Sequence, residues 1–238
     1  MQARSSSSRL PGKVLKPILG EPMLIRQIER INRCKKLSRL IVATSNEESD
    51  DFLSKELEER EIKIFRGELD DVLDRFYQAA KLYKPAHVVR LTGDCPLADP
   101  KIIDLVISEH VKNNVDYTSN ISPPTYPDGL DVEIMRFSVL ENVWQHATEQ
   151  SDREHVTLYI RNHPEKYSQY NVVSDKDYSK LRWTVDEDSD YIYIKKIYEA
   201  LSQSNPQFGF EEILEYIEEN PSMKNNNSII MRNNSLCS

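Results

Sequence analysis

Cationic and hydroxyl side chains crowd the start of the 238-residue chain. Arg4, Arg9 and Lys13 fall within one short stretch, together with the serines at 5–8 and Gly12. Guanidinium groups match phosphate oxygens with a planar pair of donors, and lysine adds a movable point charge. No apolar periodicity would bury this stretch as a helix or strand. We interpret it as a polyphosphate-binding loop, and a frayed, serine-rich terminus is the alternative that composition leaves open.

Two aspartates follow predicted strands further along the chain. Asp94 lies in the stretch TGDCPL at 92–97, and Asp186 ends the stretch RWTVD at 182–186. Carboxylates are hard ligands for Mg²⁺, which needs only one or two of them beside phosphates and water. Each aspartate could instead cap a helix N-terminus. The ligand chemistry favours a metal role for Asp94, whereas for Asp186 capping is at least as good an interpretation of the sequence alone.

The elements that must position these residues alternate between strand and helix. The predicted strands lie at 40–44, 62–65 and 87–91, and the predicted helices at 50–60, 70–82 and from Pro100 onward. Such alternation predicts a mostly parallel sheet covered by helices on both faces. Ligands of such sheets bind beyond the carboxyl ends of the strands, where the cationic loop and Asp94 are both expected.

The alternation is interrupted between residues 116 and 173, which include a proline-rich loop. Predicted strands lie at 130–135, 170–173 and 181–185, and predicted helices begin at Ser138 and span 151–161. We expect one domain over residues 1–220 in which 116–173 forms a β-rich excursion. From Pro221 the chain is rich in Asn and Ser, so we expect a disordered tail over 221–238.

Composition narrows the class of protein. The formal net charge of −8 argues against general nucleic-acid binding. Against this acidic background, the cations clustered near the N-terminus are a stronger indication of a local anion-binding site. No apolar run is long enough to span a bilayer, and no signal peptide is evident. The three widely spaced cysteines, at 34, 95 and 237, fit a reducing cytoplasm with neither a disulfide framework nor a zinc site.

Several stretches taken together resemble the sugar cytidylyltransferases, which activate acylneuraminate- and keto-deoxyoctonate-type sugars with CTP. The stretches are QAR at 2–4 with RLPGK at 9–13, TGDCPL at 92–97, GLDVE at 129–133, REHVT at 153–157 and RWTVD at 182–186. The last three are similar to the branch named for spore-coat polysaccharide biosynthesis protein F. The resemblance covers residues 2–197. It implies a three-layer, Rossmann-like nucleotidyltransferase fold, transfer of CMP to a sugar acid with release of pyrophosphate, and a homodimer.

The resemblance also implies roles for individual residues. It assigns catalysis to Lys13, Arg9 and Asp94, nucleotide binding to Gln2, Ala3, Arg4, Ser7, Gly12, Arg66 and Asp71, sugar binding to Asp131, Glu133 and His155, and Mg²⁺ to Asp94 and Asp186. The alternatives are a surface ion pair for Arg66 and Asp71, a solvated strand face for Glu133, and a structural role for His155.

Two departures from the family pattern matter. Family members carry a hydrophobic strand before QAR, where this sequence has only Met1, so we expect the first strand to be missing or truncated. Such a loss would expose unpaired backbone groups of neighbouring strands. Glu187 and Asp188 stand where the family tends to have Thr-Pro, which adds negative charge beside Asp186. The rival functions are another nucleotide-sugar enzyme and a degenerate, non-catalytic nucleotide-binding protein.

Overall fold

The structure of the protein, a computed structural model, describes residues 1–223. The strands are Pro17–Ile18 (β1), Glu21–Pro22 (β2), Val42–Ser45 (β3), Ile64–Gly67 (β4), His87–Arg90 (β5), Tyr117–Ser119 (β6), Glu133–Arg136 (β7) and Gln169–Asn171 (β8). The helices are Met23–Ile31 (α1), Asp51–Glu59 (α2), Val72–Lys81 (α3), Pro100–Asn113 (α4), Phe137–His146 (α5), Gln150–His155 (α6), Leu158–Asn162 (α7), Asp188–Leu201 (α8) and Phe210–Glu219 (α9). Apart from a 3₁₀ turn at Pro221–Met223, the predicted tail lies outside the described residues.

The main sheet has the strand order β4, β3, the N-terminal segment (residues 1–3), β5, β7, β6 and β8. Gln2 forms parallel bridges to both Ala43 and Thr92, and so joins the β3–β4 pair to the β5–β8 strands. Among the described residues of this sheet, β7 alone runs antiparallel to its neighbours. The predicted mostly parallel sheet is therefore confirmed, and the N-terminal segment lies within it rather than fraying.

Helices cover both faces of the sheet. Val88 and Met135 are directly opposite each other on β5 and β7 and belong to a cluster formed with α3, α5 and α7. Val89 and Ile134, one position along, belong to a second cluster with α1, α2, α4, α8 and α9. Alternate side chains of a strand point to opposite faces, so the two clusters are the two outer interfaces of a three-layer α/β fold.

Helix starts follow the local chemistry of the sequence. Asp99 accepts hydrogen bonds from the backbone N–H groups of Lys101 and Ile102, and Pro100 occupies the first turn of α4. Asp71 accepts from the N–H of Asp74 and caps α3. These side chains satisfy N–H groups that a helix start leaves unpaired. No helix within residues 1–223 is long and apolar enough to cross a membrane.

Two element predictions are wrong. The helix expected over 151–161 is split into α6 and α7 by Val156, whose φ of 52° lies outside the right-handed helical region. Residues 181–185 form no strand, because their pairing is limited to a single parallel bridge between Asp128 and Arg182. The excursion at 116–173 adds β6, β7 and β8 to the main sheet but places more residues in α5, α6 and α7 than in strands.

Gly129 lies against the backbone of Trp183 and Thr184. Its φ is 107°, and a Cβ atom there would lie 2.5 Å from the backbone nitrogen of Thr184 and the carbonyl carbon of Trp183. Gly20 also has a positive φ, 84°, but its Cβ position is open. Substitutions at these two glycines therefore distinguish the effect of backbone strain from the effect of a steric clash with a neighbouring backbone.

We expect Gly129→Ala to lower the unfolding free energy by about 3 kcal/mol, because both strain and collision apply. Gly20→Ala should cost only about 1 kcal/mol, because strain alone applies. Denaturant unfolding of the two variants measures the difference, and equal losses would contradict the proposed collision.

Candidate active site

A cleft with two connected lobes opens at the carboxyl end of β5 and beside the N-terminal segment. The lobes have volumes of about 440 Å³ and 640 Å³. The residues that line both are Arg4, Ser8, Arg9, Arg90, Thr92, Asp94, Glu154, His155 and Asp186. The cationic loop, the TGDCPL stretch and Asp186 therefore form one continuous wall.

Lys13 joins the two predicted metal ligands at the centre of this wall. Its Nζ atom lies 3.0 Å from Asp94 Oδ2 and 3.0 Å from Asp186 Oδ1, and donates to the carbonyl of Val185 at 2.8 Å. The buried side chain has its three ammonium protons matched by three acceptors. Arg9, half-exposed, adds a second cation 2.9 Å from Asp186 Oδ1.

These contacts shift the protonation of the cluster. Burial would lower the pKa of Lys13, but Asp94 and Asp186 hold it above its ordinary value. Burial would raise the pKa of Asp94, but Lys13 and the hydroxyl of Thr92 lower it to about 2. At neutral pH the lysine is therefore charged and Asp94 is ionised, which is the state that polyphosphate and cation binding require.

Arg182 holds Asp186 in place from behind. Its guanidinium contacts Asp128 at 2.9 Å, Asp186 at 2.7 Å and Asp190 at 3.2 Å. Asp190 is fully buried and also accepts the backbone N–H groups of Asp186 and Glu187 at the start of α8. The carbonyl of Asp94 in turn accepts the N–H of Val185 at 2.8 Å. The two aspartates are thus fixed to each other although they lie on distant segments of the chain.

The cationic loop is anchored by Asp50, a buried carboxylate behind the cleft. Asp50 accepts the backbone N–H of Ser5 at 2.6 Å, the hydroxyl of Thr44 at 2.9 Å, and the N–H and hydroxyl of Ser45. Burial would raise the pKa of Asp50, but the hydrogen bonds from Ser45, Ser5 and Thr44 lower it. Gly12 closes the loop, because its N–H donates to the Ser5 carbonyl at 2.8 Å and its φ is 69°.

The larger lobe is built around a buried carboxylate, Glu133. Arg90 and the hydroxyl of Tyr117 hydrogen-bond to it, and the hydroxyl of Thr157 lies at 2.6 Å. Burial would raise the pKa of Glu133, but Arg90, Thr157 and Tyr117 lower it. Glu133 is therefore ionised and buried, so the alternative of a solvated strand face is wrong.

Two guanidinium groups of this lobe keep a donor available. The Nε atoms of Arg90 and Arg161 are buried and have no hydrogen-bond partner among the described residues. Both arginines line the lobe, as do Asp131 and His155. Burial lowers the pKa of His155, and Arg90 and Arg161 also lower it. A ligand with anionic or hydroxyl oxygens would satisfy the unpaired donors.

The structure brings most of the sequence-predicted site residues together. Those that line the smaller lobe are Gln2, Ala3, Arg4, Ser7, Arg9, Lys13, Asp94, His155 and Asp186. Those that line the larger lobe, besides Arg4, Arg9, Asp94 and Asp186, are Asp131, Glu133 and His155. Gly12, Arg66 and Asp71 line neither lobe. Their roles in nucleotide binding stay predictions.

Arg66 and Asp71 do not pair with each other. Arg66 donates to the carbonyls of Ser45 and Glu47, and lies 2.7 Å from Asp51. Asp71 caps α3 and pairs with Arg153 at 2.5 Å. Arg66 and Asp71 therefore each form an ion pair, as the alternative interpretation of the sequence expected, but not with each other.

Sequence reasoning missed several cleft residues. Arg90, Arg75, Gln150, Glu154 and Arg161 line the lobes without having been predicted. Arg90 gave a usable signal, since it stands inside the otherwise apolar strand sequence HVVRL, and arginine is seldom buried unless it is paired. Arg75, Gln150 and Arg161 lie in helices. Only the packing of those helices against the sheet brings these side chains to the cleft.

The carboxylates of the cleft can be compared with the ligands that a divalent cation requires. Within residues 1–223, no cluster of three or more acidic, His or Cys side chains could form a metal site by itself. Asp94 and Asp186 are nevertheless held on either side of one ammonium group, and each carboxylate oxygen has two lone pairs. Two carboxylates fit Mg²⁺ when phosphates and water complete its coordination.

The fold is a Rossmann-like sheet whose carboxyl edge carries a cationic loop and paired carboxylates. This arrangement is that of a nucleotidyltransferase. The sequence matches the family model for cytidylyltransferases over residues 1–234. The chain belongs to the cytidylyltransferase family and is a CTP-dependent nucleotidyltransferase. The family and fold predicted from the sequence are thereby confirmed.

Individual relatives agree with this assignment. The chain is 34% identical over 228 residues to the spore coat polysaccharide biosynthesis protein SpsF of Bacillus subtilis, covering 93% of each sequence. The structure of a cytidylyltransferase from Leptospira borgpetersenii matches with a TM-score of 0.90 at 32% identity, covering 97% of each chain. The 3-deoxy-manno-octulosonate cytidylyltransferase of Chlorobium chlorochromatii is 32% identical over 126 residues, which are 53% of this chain and 50% of that one.

We expect Asp50→Ala to raise the KM for CTP about tenfold, because the Ser5 N–H and two hydroxyl groups lose their shared acceptor and the loop loosens. Glu48→Ala is the matched control, since Glu48 is an exposed carboxylate in the same 3₁₀ turn as Asp50 and lines neither lobe. Steady-state kinetics with varied CTP measure both, and an unchanged KM in Asp50→Ala would contradict the anchoring role.

Proposed function

We propose that this enzyme transfers CMP from CTP to a sugar acid of the nonulosonate type, with release of pyrophosphate, for surface polysaccharide or glycan synthesis. The observation that supports this most directly is the Asp94–Lys13–Asp186 cluster at the junction of the two lobes. The smaller lobe suits the nucleotide, because the cationic loop lines it. The larger lobe suits the sugar, because Arg90 and Arg161 offer unpaired donors there.

In this proposal an anomeric hydroxyl of the sugar attacks the α-phosphorus of CTP. A phosphorus–oxygen bond forms to the sugar, the bond to the bridging oxygen of the β-phosphate breaks, and pyrophosphate leaves with that electron pair. Such transfers depend mainly on positioning and on neutralising charge. Arg4 and Arg9 bind the triphosphate. Lys13, whose protons go to Asp94, Asp186 and the Val185 carbonyl, acts through its charge and with Arg9 stabilises the charge that leaves with pyrophosphate.

The hydroxyl proton needs an acceptor near the junction of the lobes. Glu133 is a poor acceptor, because Arg90, Tyr117 and Thr157 already hydrogen-bond to it and hold its pKa low. His155 lines both lobes, and its lowered pKa keeps the ring neutral at pH 7. We assign proton acceptance to His155, since a neutral imidazole nitrogen can take the proton.

Asp94 and Asp186 would hold Mg²⁺ in this scheme, and the ion when bound would neutralise charge on the triphosphate. Magnesium dependence, a homodimer and a cytoplasmic location stay predictions of the sequence. Glu187 also lines the larger lobe, so the acidic departure from the family pattern lies at the sugar side of the proposed site.

We expect Lys13→Met to lower kcat/KM by about 10²–10³, because the cation that holds Asp94 and Asp186 together beside the cationic loop is lost. Lys16→Met is the matched control, since Lys16 lies one 3₁₀ turn away, pairs with the exposed Asp188 and lines neither lobe. Asp94→Asn should show a loss as large as that of Lys13→Met with the fold retained by circular dichroism. Near-normal activity in both Lys13→Met and Asp94→Asn would contradict the assignment of the active site.

A panel of sugar acids tests the proposed substrate class. With CTP and Mg²⁺, we expect pyrophosphate release with eight- or nine-carbon keto acids and none with sugar phosphates, because the proposed acceptor is a free anomeric hydroxyl. The assay is coupled pyrophosphate detection, with Lys13→Met as the blank. Pyrophosphate release with sugar phosphates alone would replace the proposal by a sugar-phosphate nucleotidyltransferase.

A further inference from the structure

Two cations of the N-terminal loop, Lys13 and Arg9, are both bound to one carboxylate oxygen of Asp186. Lys13 Nζ lies 3.0 Å from Asp186 Oδ1 and 3.0 Å from Asp94 Oδ2. Arg9 Nη2 lies 2.9 Å from the same Asp186 oxygen. The oxygens that hold these cations therefore belong to the two carboxylates that would bind a divalent cation, so one pair of side chains serves two roles.

The other oxygen of each carboxylate already has a partner of its own. Asp94 Oδ1 accepts the hydroxyl of Thr92 at 2.6 Å, and Asp186 Oδ2 lies 2.7 Å from Arg182 Nη2. A cation that bridges the two aspartates must therefore use Asp94 Oδ2 and Asp186 Oδ1, which are the oxygens that Lys13 holds. These contacts make Lys13 and a bridging ion competitors for the same two atoms.

Distance makes this competition severe. Mg²⁺ contacts carboxylate oxygens at about 2.0–2.1 Å, so an ion bound to both oxygens would lie within about 5 Å of an ammonium group bound to the same two oxygens. Positive charges that close repel each other, most strongly where the surroundings exclude water. The Lys13 side chain is buried. Binding of a bridging ion therefore favours departure of the ammonium group.

Lys13 also has no proton to spare for a phosphate while it stays in place. An ammonium group has three protons, and here they go to Asp94, Asp186 and the carbonyl of Val185. Direct contact with the triphosphate requires Lys13 to give up at least one of these acceptors. The side chain already lines the smaller lobe, and its four-carbon stem is flexible, so a turn toward the phosphates needs no movement of the backbone.

The two aspartates keep their places without the lysine. Arg182 pairs with Asp186 from behind, and the hydroxyl of Thr92 donates to Asp94. The carbonyl of Asp94 accepts the N–H of Val185 at 2.8 Å, which ties the two segments together through the backbone. The pair of carboxylates is therefore ready to bind another cation once the ammonium group has left.

We propose that Lys13 is an internal counter-ion that a divalent cation displaces from Asp94 and Asp186, and that the displaced ammonium group then binds the triphosphate in the smaller lobe. Arg9 is released from Asp186 Oδ1 by the same exchange. The cation and the nucleotide bind cooperatively, because one makes available the donors that the other uses. This exchange rests on the cation role proposed for Asp94 and Asp186, and it does not depend on the identity of the sugar.

Titration of the nucleotide-free protein with Mn²⁺, followed by electron paramagnetic resonance, tests the displacement. We expect Lys13→Met to bind Mn²⁺ at least about tenfold more tightly than the unchanged protein, because the carboxylates are then available in every molecule. Lys16→Met is the matched control, since it removes the same charge from a side chain that pairs with Asp188 instead. Equal Mn²⁺ affinity in Lys13→Met and the unchanged protein, or an equal gain in both variants, would overturn the proposal.

Acetylation of the unchanged protein locates the ammonium group without any substitution. With acetic anhydride and mass spectrometry, we expect Mn²⁺ to speed labelling of Lys13 at least about threefold, because the buried amine becomes exposed when it leaves its three acceptors. Labelling of Lys16 should not change. Slower or unchanged labelling of Lys13 in the presence of Mn²⁺ would show that the lysine stays on the carboxylates.

CTP binding tests where the released lysine goes. By calorimetry without an acceptor sugar, Lys13→Met should weaken CTP binding at least about tenfold more in Mg²⁺ than in EDTA, because only the cation frees Lys13 for the phosphates. An equal loss in the two buffers would contradict release to the triphosphate.

Asp94→Asn in the Lys13→Met background distinguishes failure of the exchange from failure of the cation site. We expect the added substitution to weaken Mn²⁺ binding about tenfold or more, because one of the two charged ligands is lost. An unchanged Mn²⁺ affinity would overturn both the cation site and the exchange. A weakened affinity, combined with equal Mn²⁺ binding by Lys13→Met and the unchanged protein, would leave the cation site in place and overturn the exchange alone.

Discussion

The ammonium group of Lys13 is the contact on which the site depends. Two carboxylates that approach each other repel unless a cation lies between them, and here Nζ lies 3.0 Å from both Asp94 and Asp186. Arg182 acts in the same way one layer deeper, where it joins Asp128, Asp186 and Asp190. Alternating charges therefore connect the cationic loop to the start of α8. The arrangement brings two loops and one helix start to a single point at the carboxyl edge of the sheet.

The sheet supplies the rigid base for these charges. Gln2 pairs with both Ala43 and Thr92, so the first residues of the chain lie between the strands that lead to Asp94 and to the Asp50 anchor. Gly93 has no side chain, and a Cβ there would lie 2.7 Å from the Cβ of Ala3. Close contact between these two backbones is what lets the cationic loop leave the sheet directly beside Asp94.

The cleft places cations beside carboxylates in a protein whose formal net charge is −8. Arg4 and Arg9 line both lobes, Lys13 and Arg75 line the smaller one, and Arg90 lines both. Carboxylates balance the innermost cations: the buried Glu133 holds Arg90, and the partly buried Asp94 and Asp186 hold Lys13. The cations that an anionic nucleotide can reach in this structure are therefore those of the cationic loop, Arg4 and Arg9, whereas the acidic net charge of the whole molecule disfavours general polyanions.

The sequence by itself determined the fold class, the family and most of the charged residues along the shared wall of the cleft. Strand and helix periodicity depends on neighbouring residues, and the stretches QAR, RLPGK and TGDCPL can be recognised in the sequence alone. Arg4, Lys13 and Asp94 could therefore be identified as candidate site residues without coordinates. It did not determine residues 181–185, whose apolar pattern resembles a strand although they bond to Asp128 and Asp94 instead. Nor could it show that Glu133 is buried under Arg90, Tyr117 and Thr157, or that Asp71 pairs with Arg153, because these partners come from distant segments. Only the tertiary structure decided which charges meet, since burial and pairing depend on packing between elements and not on the periodicity within them.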